Sequence, residues 1–543
     1  MQFHSVVHLR ASSARSQNRE QYTRLLENLA KMISWTINCL TDSFTVICTT
    51  VIGVLLYYYS TSTHGKWRKA NVPHTRPVPL FGNLFRTTLG LESEKETFDK
   101  IYKQFPDKKI CGLYQMRTPY LMIRDPELIN NVLIKDFAHF TDHGFKLDPS
   151  VNFLASSLFF TNGQKWKIMR QKMSPGFTSG KLKLMHSQIK KCSKDMIDYI
   201  DAKSKTTDQF DVHDIMNKYA TDVIGTCAFG LKLNSMVDED NEFRKCTKLI
   251  INSSFRIIVA NLLQMISPKL MSILKISFHS PEAMEYFNSS FRGVIEYREK
   301  NNVIRNDVAQ TLIQARKELV LNNSSYPEEK FTEMDIISNA ILMYLAGAEP
   351  VSDTLAFCLY ELAMNKHVQD KLREHINKTK KKHGDEFSND YLVDLHYADM
   401  VIAETLRKVN GIIILFRVAT KTYQVPNSSL VIEKGQQIII PSYSIHHDPK
   451  YYPNPDVFDP ERFSFEEKSK RPSGTELLFG DGPRFCIGKR LAELEMKLGL
   501  SEIISKFEVL PCVKTENPIK LAKVGGAIKP KNGIWLRLKP IVV

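Results

Sequence analysis

The segment Phe479-Gly-Asp-Gly-Pro-Arg-Phe-Cys-Ile-Gly-Lys-Arg-Leu-Ala492 decides how the rest of the chain is read. Gly480, Gly482 and Pro483 predict a tight loop, and residues 488–507 turn amphipathic with helical spacing. Cys486 therefore falls at a helix N-terminus, where free N–H groups and the positive end of the helix dipole favour a thiolate. The thiolate is the metal-binding form of cysteine. Gly488, lacking a side chain, lets a flat cofactor lie close to the backbone. Phe479 supplies an apolar wall and Arg484 a counter-ion for a carboxylate. A lone cysteine is more often a buried structural residue; the pattern around this one argues otherwise.

Phe479, Gly482, Arg484, Cys486 and Gly488 fill every fixed position of F-x-x-G-x-R-x-C-x-G. The segment resembles the cysteine loop of the cytochrome P-450 family, the haem-thiolate monooxygenases, in which the thiolate ligand favours O–O cleavage. The resemblance implies a mainly α fold with small β-sheets, a single large domain, haem b (iron protoporphyrin IX) as cofactor and Cys486 as the metal ligand. Glu404-Thr-Leu-Arg407 matches the family's E-x-x-R, and Arg462, in Phe458-Asp-Pro-Glu-Arg-Phe463, matches the third member of its buried Glu–Arg–Arg network. The resemblance implies that these three lock the core near the cysteine loop; such a network needs every partner, because losing one strands a buried charge.

Trp166-Lys-Ile-Met-Arg170 matches the family's W-x-x-x-R helix, and residues four apart share a helical face. With Arg417, His446 and Arg484 at family-like positions, the resemblance assigns Trp166 and Arg170 to the haem propionates. Ala346-Gly-Ala-Glu-Pro350 matches the oxygen-binding stretch A-G-x-[ED]-T except at its last position. By resemblance, Gly347 leaves room for dioxygen and Glu349 orders a proton relay. Pro350 stands where threonine is usual. Proline lacks an N–H and its ring clashes with the carbonyl four residues back, at about 3 kcal/mol in an ordinary helix. A kink between Ala346 and Pro350 is expected, with Ser352 a less direct hydroxyl for the relay. A second departure is Asn410-Gly411, where the family often has Pro-Pro.

Residues 90–543 contain no Pro/Gly/Ser-rich linker, so one haem-thiolate domain, 84–543, is expected. Most of 94–370 reads as helix, with Ser187–Ser204 and Phe331–Lys366 the clearest. The second opens on the start signal Thr332-Glu-Met-Asp335. Ile336, Ile337, Ala340, Ile341, Tyr344, Leu345 and Ala348 then recur at helical spacing. Strands are expected at Leu430–Glu433, Gln436–Pro441 and Gly533–Leu538, the first two joined by a Lys434-Gly435 turn. Candidate walls of an apolar substrate pocket are Phe145–Phe160, Leu342–Pro350, Ile412–Phe416 and Val524–Ile528.

Ser43 to Gly65 is 23 residues without Asp, Glu, Lys or Arg, within the roughly 17–25 a spanning helix needs. Tyr57, Tyr58 and Tyr59 suit an interfacial belt, and Lys66, Arg68, Lys69 and Arg76 place the rest of the chain in the cytosol by the positive-inside tendency. Residues 43–65 are read as a transmembrane anchor. Residues 66–83, basic and with Pro73, Pro77 and Pro79, are read as a stiff extended linker. Residues 1–42 form an N-terminal extension whose first 19 residues carry Arg and no acid, resembling a transit peptide; Met32 is an alternative start. The endoplasmic reticulum membrane is the favoured location and the mitochondrion the alternative.

Lys+Arg outnumber Asp+Glu by 74 to 59, a net charge of +15. The basic residues are scattered and no reader motif accompanies them, so nucleic acid is not expected as a partner. A membrane or an acidic redox partner fits better. The nine cysteines are widely spaced with no C-x-x-C pair, which argues against a disulfide framework or zinc site. The resemblance, especially to microsomal insect members that handle lipophilic foreign compounds, implies a monooxygenase. Its electrons come from NADPH through a flavoprotein reductase docked around Lys489 and Arg490, with a cytochrome b-type donor as a further partner. Dioxygen and a lipophilic small molecule are its substrates. Two alternatives remain: a haem-thiolate isomerase or dehydratase of peroxides, and a haem-bearing binding protein without turnover. The anchor reading is checked by a chain beginning at Lys66: it should lose most stable membrane attachment on flotation, whereas the full chain should resist carbonate and high salt.

Overall fold

The computed structural model describes all residues except 1–3, 252–253, 322–330, 385–387, 410, 524–526 and 542–543. Asn410 and the first three residues of the expected wall Val524–Ile528 lie outside the described residues. The chain divides into two compact units, Met1–Gly65 and Lys66–Val543.

The first unit is a single helix, α1 (His4–Thr61). Its stretch Asp42–Thr61 is long and apolar enough to cross a membrane, with mean hydropathy 1.5 over 20 residues. Residue 43 is not an element boundary, because no Gly or Pro before it ends the helix.

In the second unit the helices that matter for the site are α2 (Gly163–Met173), α3 (Ser179–Ser204), α4 (Val212–Phe229), α5 (Glu333–Met364), α6 (His396–Val409) and α7 (Lys489–Lys506). The long α5 starts where the sequence predicts. Thr332 Oγ1 accepts from the Asp335 N–H at 3.2 Å while the Asp335 carboxylate accepts from the Thr332 N–H at 2.7 Å, a reciprocal cap that satisfies two otherwise orphaned donors. From there α5 runs through the core with α4 packed along it. Asn339, fully buried in α5, accepts from the Leu158 N–H at 2.8 Å and so ties the 145–160 segment to this helix.

Nine strands flank the helices among the described residues. β1 (Ile110–Gln115) and β2 (Thr118–Ile123) pair antiparallel, β2 pairs parallel with β7 (Gln437–Ile440), and β7 pairs antiparallel with β4 (Leu415–Val418). β3 (Gln209–Asp211) and β8 (Phe507–Pro511) both pair with β9 (Trp535–Pro540), and β5 (Tyr423–Gln424) pairs with β6 (Val431–Ile432). The two strands expected on either side of Lys434-Gly435 thus exist, shortened, but belong to different sheets. β1 and β2 interrupt a region that reads as helix, because their apolar residues are buried on both faces and show no alternation.

Residues 66–83 are not a free spacer. Trp67 is buried and donates from its indole N–H to the Leu113 carbonyl at 3.1 Å. Gly112 donates to the Pro73 carbonyl at 2.7 Å and accepts from the Thr75 N–H. Proline fixes extended backbone, and extended backbone at a sheet edge finds partners.

The network around α6 lies at the heart of this unit. Glu404 and Arg407 are completely buried and bidentate, with Nε–Oε2 2.7 Å and Nη2–Oε1 2.8 Å. Arg407 also donates to the carbonyls of His446 (2.9 Å) and Pro455 (2.7 Å). Glu404 further accepts from the Asp459 N–H at 3.0 Å, and Arg462 lies 3.4 Å away as a looser third member. Replacing Arg407 by Leu should lower stability by about 3–5 kcal/mol, since Glu404 is left charged without its partner. Denaturant unfolding of the holoprotein checks this; Lys366→Ala, which removes the exposed pair with Glu508, should leave the midpoint nearly unchanged.

Candidate active site

The cysteine loop is shaped by one close approach. Gly482 has φ +70°, and a Cβ there would lie 1.8 Å from the Leu133 carbonyl oxygen, so no other residue fits. The Cys486 N–H donates to the Phe479 carbonyl at 2.9 Å, closing the loop just before α7 begins. Burial raises the Cys486 thiol above its usual range, while N–H donors of Gly488 and Lys489 and the charge of Arg170 pull it down. The helix N-terminus therefore helps as the sequence suggests, but burial wins, and a cation at the sulfur is needed to tip it to thiolate. A Cβ on Gly488 would meet only Phe177, at 3.9 Å, so nothing in the chain itself requires glycine there.

A second cluster gathers buried cations whose hydrogen bonds go to backbone carbonyls, with carboxylates only farther off. Arg484 is bonded to the carbonyls of Thr141 (2.6 Å) and Thr161 (3.0 Å) and lies over the Trp166 ring at 4.2 Å. Its nearest carboxylate oxygen is on Asp142, 3.7 Å away. Arg417 donates to the Phe416 carbonyl at 2.7 Å. Buried Arg484 Nη1 and Arg417 Nε have no hydrogen-bond partner. Burial first, and then mutual repulsion, pushes Arg484 down to about 9; burial pushes Arg417 down to about 10 against the pull of Asp481. Buried cations of this kind call for anions.

His143 completes the cluster. Its imidazole is held well below the usual range by burial and by Arg417 and Arg484, and Nδ1 bonds the Phe159 carbonyl at 2.9 Å. The sequence offered no motif for it. Trp166 joins the cluster as expected, whereas Arg170 does so only at its edge: it donates to the Phe485 carbonyl at 2.9 Å and stacks on that ring, so it braces the cysteine loop. His446 is elsewhere. Its Nε2 accepts from the Leu477 N–H at 3.1 Å and its carbonyl accepts from Arg407, which makes it the link between the α6 network and the cysteine loop.

Above these clusters, α5 leaves one stripe open. Ala346 and Pro350 are exposed and Leu342, Leu345 and Glu349 half-exposed, while Ala348 and Val351 are buried; that spacing is one helical face. Gly347 is not on it. A Cβ at Gly347 would lie 2.5 Å from Ile224 Cδ1 of α4, so this glycine lets α4 and α5 touch, and the open face beside it is formed by Ala346 and Pro350. Phe145 stacks edge-on against Phe416 at 5.1 Å and Phe160 at 5.5 Å, and Phe159 adjoins Phe160 at 5.0 Å. Two expected walls, Phe145–Phe160 and Ile412–Phe416, therefore meet.

The sequence model of the cytochrome P450 family matches residues 72–537. The chain belongs to that family. It is 34% identical to a probable cytochrome P450 6a13 of Drosophila melanogaster over 490 residues, covering 90% of this chain and 97% of the relative. It is also 34% identical to cytochrome P450 6k1 of Blattella germanica, with 93% and 98% covered. Cytochrome P450 6B7 of Helicoverpa armigera is 33% identical, with 90% and 97% covered.

As a cytochrome P450, the protein is a haem-thiolate monooxygenase that carries haem b. The residues fit that group: the buried Cys486 sulfur suits its iron, and the unmatched N–H groups of Arg417 and Arg484, with Trp166 beside them, suit its two carboxylates. Burial pushes Cys111, Cys192 and Cys358 up to about 12 and Cys227 well above its usual range; Cys512, like Cys486, is half-buried. Reduced, carbon-monoxide-treated protein should therefore give the red-shifted Soret band in the wild type and in Cys512→Ala. Cys486→Ala should abolish it, and a retained band would refute Cys486 as the ligand.

Proposed function

We propose that this cytochrome P450 inserts one atom of dioxygen into a lipophilic small molecule, taking electrons from NADPH through a flavoprotein reductase at the endoplasmic reticulum membrane. The observation that carries this reading is the open stripe of α5: Leu342, Leu345, Ala346 and Pro350 share one face. The Phe145–Phe416 aromatic contact supplies apolar walls. When bound, haem supplies the oxygen activation; the chain supplies an apolar place for the substrate, exclusion of water and protons. Lys489 and Arg490 are exposed at the start of α7, close in sequence to Cys486, and offer positive charge to an acidic donor. The apolar stretch Asp42–Thr61 supports membrane attachment.

Proton supply is where this chain departs from its family. α5 stays helical on both sides of Pro350, so the opening there amounts to one absent bond: residue 350 has no N–H for the Ala346 carbonyl. That carbonyl is left to accept from water on the open face. The nearby hydroxyls are committed, Ser352 donating to the Glu349 carbonyl at 2.8 Å and Thr354 to the Pro350 carbonyl at 2.6 Å. Ser352 therefore does not serve the relay. Glu349 is the remaining ionisable group beside the break, and we assign proton delivery to it.

Membranes supplied with reductase, NADPH and a panel of lipophilic compounds should yield oxygenated product. Pro350→Thr should keep turnover with altered coupling of NADPH to product, and Glu349→Ala should lose product while keeping the carbon monoxide band. The reading fails if the wild type makes no oxygenated product from any compound and Pro350→Thr gains that activity. Rearrangement of a peroxide without NADPH would instead select the isomerase, which Pro350 also suits because that chemistry needs no hydroxyl to deliver protons.

A further inference from the structure

The carboxylate expected to deliver protons is not free. Glu349 Oε1 accepts from Asn217 Nδ2 of α4 at 2.9 Å, and Oε2 accepts from Lys529 Nζ at 2.6 Å. Lys529 comes from the far end of the chain, and its backbone is fixed in a turn. Ala522 donates to the Lys529 carbonyl at 2.9 Å, Lys531 donates to the Lys520 carbonyl at 2.8 Å, and Leu521 bridges Pro530. Ile528, next to Lys529, is buried. Ile528 is also the last residue of the stretch that the sequence marks as a pocket wall.

Lys529 also faces a second carboxylate. Asp353, one turn beyond Glu349 on α5, lies 3.9 Å from Nζ, while its other oxygen is engaged by His213 Nε2 at 2.7 Å. Like charges four apart on a helix repel, and the ammonium between them offsets that repulsion. Burial works against the charge on Lys529, but Asp353 and Glu349 outweigh it and hold the amine protonated. The Lys529 side chain is 21% exposed and that of Glu349 14%, so water screens the pair only partly.

We propose that Lys529 is the positioning residue for Glu349: held by the backbone pairing of Ala522 with Lys529 and of Lys531 with Lys520, its ammonium fixes the carboxylate beside Pro350, in place to pass protons to the open face of α5. The inference rests on the monooxygenase reading of the same site. Glu349 takes a proton from solvent water and releases it to water at the Ala346 carbonyl; Lys529 keeps its own protons and changes only where the carboxylate sits.

A double-mutant cycle tests this in the full-length, haem-loaded protein with reductase and NADPH. The readouts are the fraction of NADPH consumed that appears as product, the hydrogen peroxide released and the solvent isotope effect. Glu349→Gln sets the full loss, about a hundredfold in product formation for a positioned acid at the lower end of its range. Lys529→Met should lose part of that, with peroxide rising and the carbon monoxide band intact, and Lys529→Arg should restore coupling. Adding Lys529→Met to Glu349→Gln should cost nothing more, because a residue that acts through another is silent once the other is gone. Additive losses, unchanged coupling in Lys529→Met, or loss of the carbon monoxide band in both Lys529 variants would overturn the proposal. Hydrogen exchange separates this failure from failure of the monooxygenase reading, since it needs no turnover. Glu349→Gln should speed exchange at the amides of Ala522 and Lys531, and unchanged exchange there would show that the pair does not hold the turn.

Discussion

The architecture turns on keeping one sulfur in a place that disfavours its charge. Burial raises the Cys486 thiol, and the chain opposes this with two amide N–H groups and the guanidinium of Arg170. Such opposition works only if the loop cannot relax, and its rigidity is assembled from far away. Leu133 presses its carbonyl against Gly482, leaving no space for a side chain. Leu477, just before the loop, is anchored on His446, which is anchored by Arg407, which is clamped by Glu404. The buried ion pair on α6 is thus mechanically continuous with the loop that carries the metal ligand. Its stability cost is offset by what it holds still.

The same economy of charge governs the rest of the site. Arg417 and Arg484 are kept as buried cations with N–H groups facing no protein acceptor, an arrangement a folded chain tolerates when a bound anion completes it. On the opposite side, α5 gathers Glu349 and Asp353 with a single lysine between them. One end of the site keeps guanidinium N–H groups without a protein acceptor, and the other shares one lysine between two carboxylates.

Much of this was legible in the sequence because it is local. The loop around Cys486, the cap at Thr332 and Asp335, the Glu404–Arg407 pair and the course of α5 each depend on residues within a few positions of one another, and each stands where it was expected. What the sequence concealed is long-range. Gly347 reads as a space for a ligand, yet its neighbour is Ile224, more than a hundred positions earlier. His446 reads as a cofactor contact and is a strut between α6 and the cysteine loop. Asn217 and Lys529 carry no motif, and their meeting at Glu349 is set by how α4 and the C-terminal turn pack on α5. The proline-rich arm reads as a spacer because proline reports backbone shape and says nothing of what that shape lies against.

The distribution of thiols gives the chain an asymmetric vulnerability. Cys111, Cys192, Cys227 and Cys358 are buried and protonated, so peroxide and electrophiles find neither access nor nucleophile. Cys486 is half-buried; burial raises its thiol as well, against the pull of Arg170 and two N–H donors. If that sulfur is oxidised before haem is bound, the chain loses its iron ligand. Oxidation past the sulfenic state is irreversible for ordinary proteins and would bar that chain from ever loading.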